Sequence, residues 1–163
     1  MERSFNPANT KYSFIVALNK MRRYCTYQER CYKEVKAKLT TWGFSAADID
    51  RIASQLIEEN FLNEERFVKA IAGGKFRTKA WGPIKIQQKL AEKGISSTFL
   101  QKMGKNEVPK EDFKHKLAEL LLKKLPTVKE TNPQMLQQKL FKYAQSKGYE
   151  TDMILESLKQ ILK

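Results

Sequence analysis

The chain has 163 residues, 41% of them hydrophobic and 10% aromatic, enough apolar material to bury a core and too much for a disordered chain. Its 31 Lys and Arg against 18 Asp and Glu leave a net charge of +13 and a pI near 9.7. That excess points to a polyanionic partner, nucleic acid first and an acidic protein or membrane surface second; solubility charge is the plainer alternative.

In chain order, a tail to about Thr10 precedes a first helix with Phe14, Leu18 and Met21 on one face. Thr26-x-x-Glu29 has the form of a capping box and is expected to open the second helix, whose stripe is Cys31, Val35, Leu39 and Trp42. A third helix, after Ser45, carries Ile49, Ile52, Ala53, Leu56 and Ile57 and ends near Asn60. Asn63 caps a fourth bearing Phe67, Val68, Ile71 and Ala72, which either frays at Gly73-Gly74 or runs on to Lys79. Pro83, in Trp81-Gly82-Pro83, restarts the chain as a fifth helix with Ile86 and Leu90. A short sixth holds Phe99, Leu100 and Met103, and Gly104 to Pro109 is a linker. Phe113, Leu117, Leu120 and Leu121 mark a seventh helix, closed by Leu125-Pro126; Pro133 opens an eighth, and Ile154, Leu155, Leu158, Ile161 and Leu162 line a ninth. No segment alternates with period two, so strands are not expected.

One motif recurs through these helices: aliphatic positions four apart, then Gly and an aromatic or Ile. It reads Val35-x3-Leu39-x3-Gly43-Phe44, Ile86-x3-Leu90-x3-Gly94-Ile95 and Leu140-x3-Ala144-x3-Gly148-Tyr149. Gly at a helix exit supplies the left-handed residue that ends the helix, and Ser45, Ser96 or Thr151 follows as a cap for the next. A regular spacing of this kind is the signature of tandem units. The expected fold is all-α: three tandem three-helix repeats forming an elongated, curved array. A tail at 1–10 is followed by repeats at 11–60, 61–104 and 105–163.

Charge is distributed unevenly. Lys69, Lys75, Arg77, Lys79, Lys85, Lys89 and Lys93 face a single acid, Glu92, for a local net of +6. The preceding stretch from Asp48 to Glu65 has six acids and one base. The basic stretch is the candidate contact for phosphates or an acidic surface. Trp81 within it either stacks on a base or pins a helix start into the core. Arg66 has no acid three or four positions away; it pairs with Glu58 or Glu59 of the preceding helix, or contacts a partner.

Catalysis finds little support. There is no Gly-rich phosphate loop, and the single histidine, His115, has no evident nucleophile partner. Glu64 and Glu65 suit a helix first turn better than paired acid–base chemistry. Cys25 and Cys31 make neither a disulfide framework nor a zinc set and are expected to be small buried hydrophobes. The protein is therefore not expected to be an enzyme, nor to carry a metal or cofactor. The uncharged run Tyr12 to Asn19 is too short for a membrane span, and Lys20, Arg22 and Arg23 follow it on the wrong side for a secretory signal. A cytoplasmic protein without a membrane partner is expected.

The run Phe61-Leu62-Asn63-Glu64-Glu65-Arg66-Phe67, then Gly82-x3-Ile86-x3-Leu90-x2-Lys93-Gly94-Ile95, resembles the RecX family of RecA modulators. Asn60 stands where that family usually has Gly, and Glu64 where Asp is commoner; Asn is the second choice for a left-handed cap. The third repeat diverges. The resemblance implies a modular all-α protein of three-helix repeats that binds the RecA filament and restrains recombinase and coprotease activity; a monomer is expected. Arg66, Lys69, Lys75, Arg77, Lys79, Lys85, Lys89 and Lys93 would be the contacts to the filament or to single- or double-stranded DNA. A stand-alone DNA-binding module of helix-turn-helix type is the alternative, weakened because the bases are spread over several helices. A metal-dependent nuclease built from the scattered carboxylates is a third, more remote one.

Overall fold

The structure, a computed structural model, describes residues 10–103 and 108–163, with backbone only at 101–103. The tail before residue 10, positions 104–107 of the expected linker and the packing of Met103 lie outside the described residues. Within them the chain forms nine α-helices, one 3-10 turn and no strand. The helices are α1 (Phe14–Tyr27), α2 (Tyr32–Thr41), α3 (Ala46–Glu58), α4 (Glu64–Lys79), α5 (Pro83–Glu92), α6 (Ser97–Met103), α7 (Lys110–Lys124), α8 (Pro133–Ser146) and α9 (Thr151–Ile161). The 3-10 turn, Leu125–Thr127, follows α7. α4 continues through Gly73-Gly74 to Lys79.

The turns explain why these sequences stop where they do. Gly43, Gly94 and Gly148 have φ of 88°, 79° and 92°, the left-handed region that costs a residue with a Cβ about 1–2 kcal/mol. After α2, the amide of Phe44 donates to the carbonyl of Leu39 (3.2 Å) and that of Gly43 to Thr40 (3.0 Å), a Schellman closure. Tyr149 and Gly148 repeat this on Ala144 and Gln145. Asn60, with φ of 64°, does the same after α3, Phe61 donating to Leu56 at 2.8 Å. Asn thus fills the place of a glycine.

Helix starts follow the expected caps in most cases. Ser45 accepts from the amide of Asp48, Asn63 from Arg66 and Ser96 from Phe99, at 3.3, 2.9 and 3.2 Å. Two expectations fail. Thr26 lies inside α1, where its hydroxyl donates to the carbonyl of Arg22, and α2 begins only at Tyr32, with Cys31 as its N-cap residue; Glu29 is drawn instead into an ion pair with Arg66. Thr151 is the first residue of α9, not its cap; Glu150 occupies that position and makes no side-chain capping bond.

Packing divides the chain into two units. Among the described residues, one comprises those up to Ala70 together with Lys93–Ile95, the other Ile71–Glu92 and those from Ser96 onward. In the first, α3 packs on α1 and α2 around Ala17, Met21, Val35, Leu39, Ile52 and Leu56, all fully buried. Each of these side chains larger than alanine contributes roughly 1.5–3 kcal/mol. Cys25 belongs to this interior, where burial pushes its thiol up to about 11; Cys31 is buried as well. In the second unit α7, α8 and α9 pack pairwise on Leu117, Leu121, Leu140, Ala144, Ile154 and Leu158.

Within the second unit the start of α5 is seated on the turn between α8 and α9. Gly82 donates to the carbonyl of Lys147 (2.7 Å) and Ile84 to that of Gly148 (2.9 Å), so carbonyls left over at the end of one helix satisfy amides left over at the start of another. Tyr149, 1% exposed, sends its hydroxyl to the carbonyl of Ala80 at 2.9 Å. The segment Ala80–Pro83 is therefore held from both sides.

Candidate anion-binding site

α4 ends in a left-handed residue that is not glycine: Ala80 has φ of 55°, and its amide closes the helix on the carbonyl of Phe76 at 3.2 Å. A positive φ at alanine is uncommon and marks a backbone held by its surroundings. The next residue, Trp81, is only partly buried. Around its indole stand three ammonium groups, those of Lys75, Lys79 and Lys85, at 5.3, 5.6 and 4.8 Å from the ring centroid. Each cation at such a distance gains about 0.5–1 kcal/mol from the ring at an exposed site.

Among the described residues none of these three lysines, nor Arg77, has a carboxylate within ion-pair distance. Lys75 is held below the ordinary lysine range, first by loss of solvent and then by the charges of Lys79 and Lys89. The cluster thus repels itself. Lys89 is the exception in having a partner, Glu92, at 3.9 Å. Arg77 folds back toward its own helix: a Cβ built on Gly73 would stand 2.8 Å from Nη1 of Arg77. Lys85 also donates to the carbonyl of Ser146 at 3.2 Å.

The remaining bases read from the sequence lie in the first unit and are engaged there. Arg66 donates from Nε to Glu29 (3.0 Å) and from Nη2 to the carbonyls of Asn60 (2.8 Å) and Phe61 (3.3 Å), so its guanidinium braces the turn before α4. It does not pair with Glu58 or Glu59; Glu59 takes Arg22 in a two-point bond of 2.7 and 2.6 Å. Lys69 pairs with Glu65 at 3.4 Å and Lys93 with Glu34 at 4.0 Å. The eight candidates therefore separate into Arg66, Lys69, Lys89 and Lys93, each paired with an acid, Lys75, Lys79 and Lys85 around Trp81, and Arg77, folded on its own helix.

Sequence reading missed the convergence on one ring, since Lys75, Lys79 and Lys85 meet only because α4 ends at Lys79, the chain turns at Ala80 and α5 begins at Pro83. It also missed Lys116, which reaches over Phe76 at 5.3 Å. Glu64 and Glu65 stand in the first turn of α4 as expected. Among the described residues no three His, Cys, Asp or Glu side chains gather as a metal would require, and no helix is long and apolar enough to cross a membrane.

Comparison with known proteins covers most of the chain. Residues 17–56, 63–102 and 111–158 match, in that order, the models of the first, second and third three-helix domains of RecX. The regulatory protein RecX of Clostridium perfringens (strain SM101 / Type A) is 33% identical over 141 residues, covering 85% of this chain. This chain spans about 65% of that relative's length. The regulatory protein RecX of Pasteurella multocida (strain Pm70) is 29% identical over 86% of this chain and 80% of its own. Among solved structures, the crystal structure of RecX from Lactobacillus salivarius superposes with a TM-score of 0.81 at 22% identity, over 90% of this chain and 95% of that one. That likeness shows a shared fold.

Proposed function

The chain belongs to the RecX family, and on that premise we propose that it regulates the RecA recombinase by binding the RecA–DNA filament and restraining recombinase and coprotease activity. The relatives' name, regulatory protein, supports a role of this kind rather than a catalytic one. The observation that carries the reading on this chain is the cluster of Lys75, Lys79 and Lys85 around Trp81, without a carboxylate among the described residues. A RecA filament offers two polyanionic features, its DNA and any acidic surface of the protein, and such a cluster gains from either. The protein acts as a cytoplasmic monomer, with Arg66, Lys69 and Lys93 keeping the first unit in shape.

The test is direct. Purified protein is added to RecA filaments preformed on single-stranded DNA, and ATP hydrolysis and strand exchange are followed. Both should fall in proportion to the protein added. No effect of correctly folded protein on RecA from the matching bacterium overturns the proposal.

A further inference from the structure

We infer that Trp81 with Lys75, Lys79 and Lys85 is a binding site for a single strand of nucleic acid, one base stacking on the indole while flanking phosphates take the ammonium groups. This deepens the proposed regulatory reading by naming the ligand of the same cluster. It relies on that reading for the choice of surface alone, because the binding it describes needs no RecA.

The cluster is costly as it stands. Three ammonium groups share one ring within 5.6 Å of its centroid, and loss of solvent together with the charges of Lys79 and Lys89 holds Lys75 below the ordinary lysine range. A polyanion removes that repulsion. Lysine heads are strongly hydrated and ride on flexible stems, so they can leave the ring for phosphates and clear a face for a base.

The platform is stiff where the lysines are not. Ala80 is fixed in the left-handed region with its carbonyl held by Tyr149, and Gly82 is bonded to the carbonyl of Lys147. Trp81 stands between two anchored neighbours, so little backbone freedom is lost when a base stacks on it. This also gives the left-handed alanine a purpose, since the corner it makes points α4 and α5 lysines at one ring.

The indole decides between ligands. An acidic peptide would satisfy the lysines and leave the ring idle, whereas every nucleobase has a face to offer it. In a duplex those faces are occupied by neighbouring bases, so an unpaired strand is preferred.

The experiment uses the full chain with Trp42→Phe, which leaves Trp81 as the sole tryptophan, its fold checked by circular dichroism. Three probes are titrated without RecA: a twenty-residue oligothymidylate, a duplex of matched length and poly-L-glutamate. The oligothymidylate should quench Trp81 fluorescence at lower concentration than the duplex, while poly-L-glutamate leaves it little changed. With a dye-labelled oligothymidylate, Trp81→Leu should weaken binding about ten-fold and keep the salt slope, and Trp81→Phe should recover most of the loss. Lys75→Gln, Lys79→Gln and Lys85→Gln together should lower the slope by about 2, roughly 0.7 for each lost phosphate contact. Quenching by poly-L-glutamate at least equal to that by the strand would assign the site to an acidic protein surface and overturn the inference. So would strand binding that ignores Trp81→Leu in a protein of unchanged helicity. Because RecA is absent, failure here leaves inhibition of strand exchange standing, and failure there leaves this site standing.

Discussion

A Cβ on Gly82 would stand 2.5 Å from the carbonyl oxygen of Gly148. The two glycines let the start of α5 lie directly on the turn after α8, backbone against backbone, with the Lys147 and Gly148 carbonyls accepting amides from Gly82 and Ile84. Gly82→Ala must push these segments apart, and overpacking of this kind costs about 1–3 kcal/mol. Gly74, inside α4, is the contrast. A Cβ there meets nothing within 4 Å, so Gly74→Ala gains the helix propensity of alanine, about 0.8–1 kcal/mol. Thermal denaturation should show a lower midpoint for Gly82→Ala and a higher one for Gly74→Ala. A neutral Gly82→Ala would mean that the two segments do not touch.

Gly94 isolates conformation from crowding. Its φ is 79°, yet the nearest atoms to an added Cβ, on Lys33, are 3.8 Å away. Gly94→Val should therefore destabilise by about 1–2 kcal/mol through the left-handed backbone alone, and Gly94→Asn should recover much of it, as Asn tolerates that region. Equal melting of the Val and Asn variants contradicts the assignment.

Arg66 has the form of a surface contact in sequence and the bonding of a brace in the structure. Its partner Glu29 already has Oε2 buried without a hydrogen bond. Removing the guanidinium would leave the whole carboxylate unmatched, along with the carbonyls of Asn60 and Phe61. Arg66→Ala should lower stability by about 1–3 kcal/mol while leaving the salt dependence of nucleic-acid binding unchanged. A lower salt slope at unchanged stability would return Arg66 to the contact surface.

The Arg22–Glu59 pair gives the first unit a response to acid. Hydrogen bonds from Arg22, then from Gln55, hold the Glu59 carboxyl at about 2, below its ordinary 4.5. A lowered folded value means that the carboxylate stabilises the fold above about pH 4.5 and loses that contribution as pH falls toward 2. Both side chains remain partly exposed, so the effect is modest and falls with salt. Chemical denaturation from pH 6 to pH 2 should show a steeper loss for the native chain than for Glu59→Gln. Parallel curves would show that the pair contributes nothing to acid stability.

The parts legible in the sequence are those with a local cause. A left-handed turn leaves a glycine, so Gly43, Gly94 and Gly148 announced three helix exits, and Asn60 a fourth. The helices followed from apolar spacing, and the basic stretch was plain as composition. What sequence could not supply was the choice among the bases, because the carboxylates that match Arg66 and Lys93 come from Glu29 and Glu34, far off in the chain. For the same reason Thr26-x-x-Glu29 misled: the glutamate that completes a local capping box is worth more to a distant guanidinium. The contact of Gly82 with Gly148 was equally hidden, since a glycine needed for close approach looks like one needed for a turn.

That the unmatched lysines at the α4–α5 corner carry the restraint of RecA is tested most directly by RecA-driven strand exchange with two charge-reversed proteins. One carries Lys75→Glu, Arg77→Glu and Lys79→Glu; the other carries Lys142→Glu, Lys159→Glu and Lys163→Glu, the same change in charge placed in the third repeat. With helicity unchanged in both, the first should lose most of its inhibition and the second should keep most of it. Equal losses would show that overall charge alone matters and would contradict a localised site.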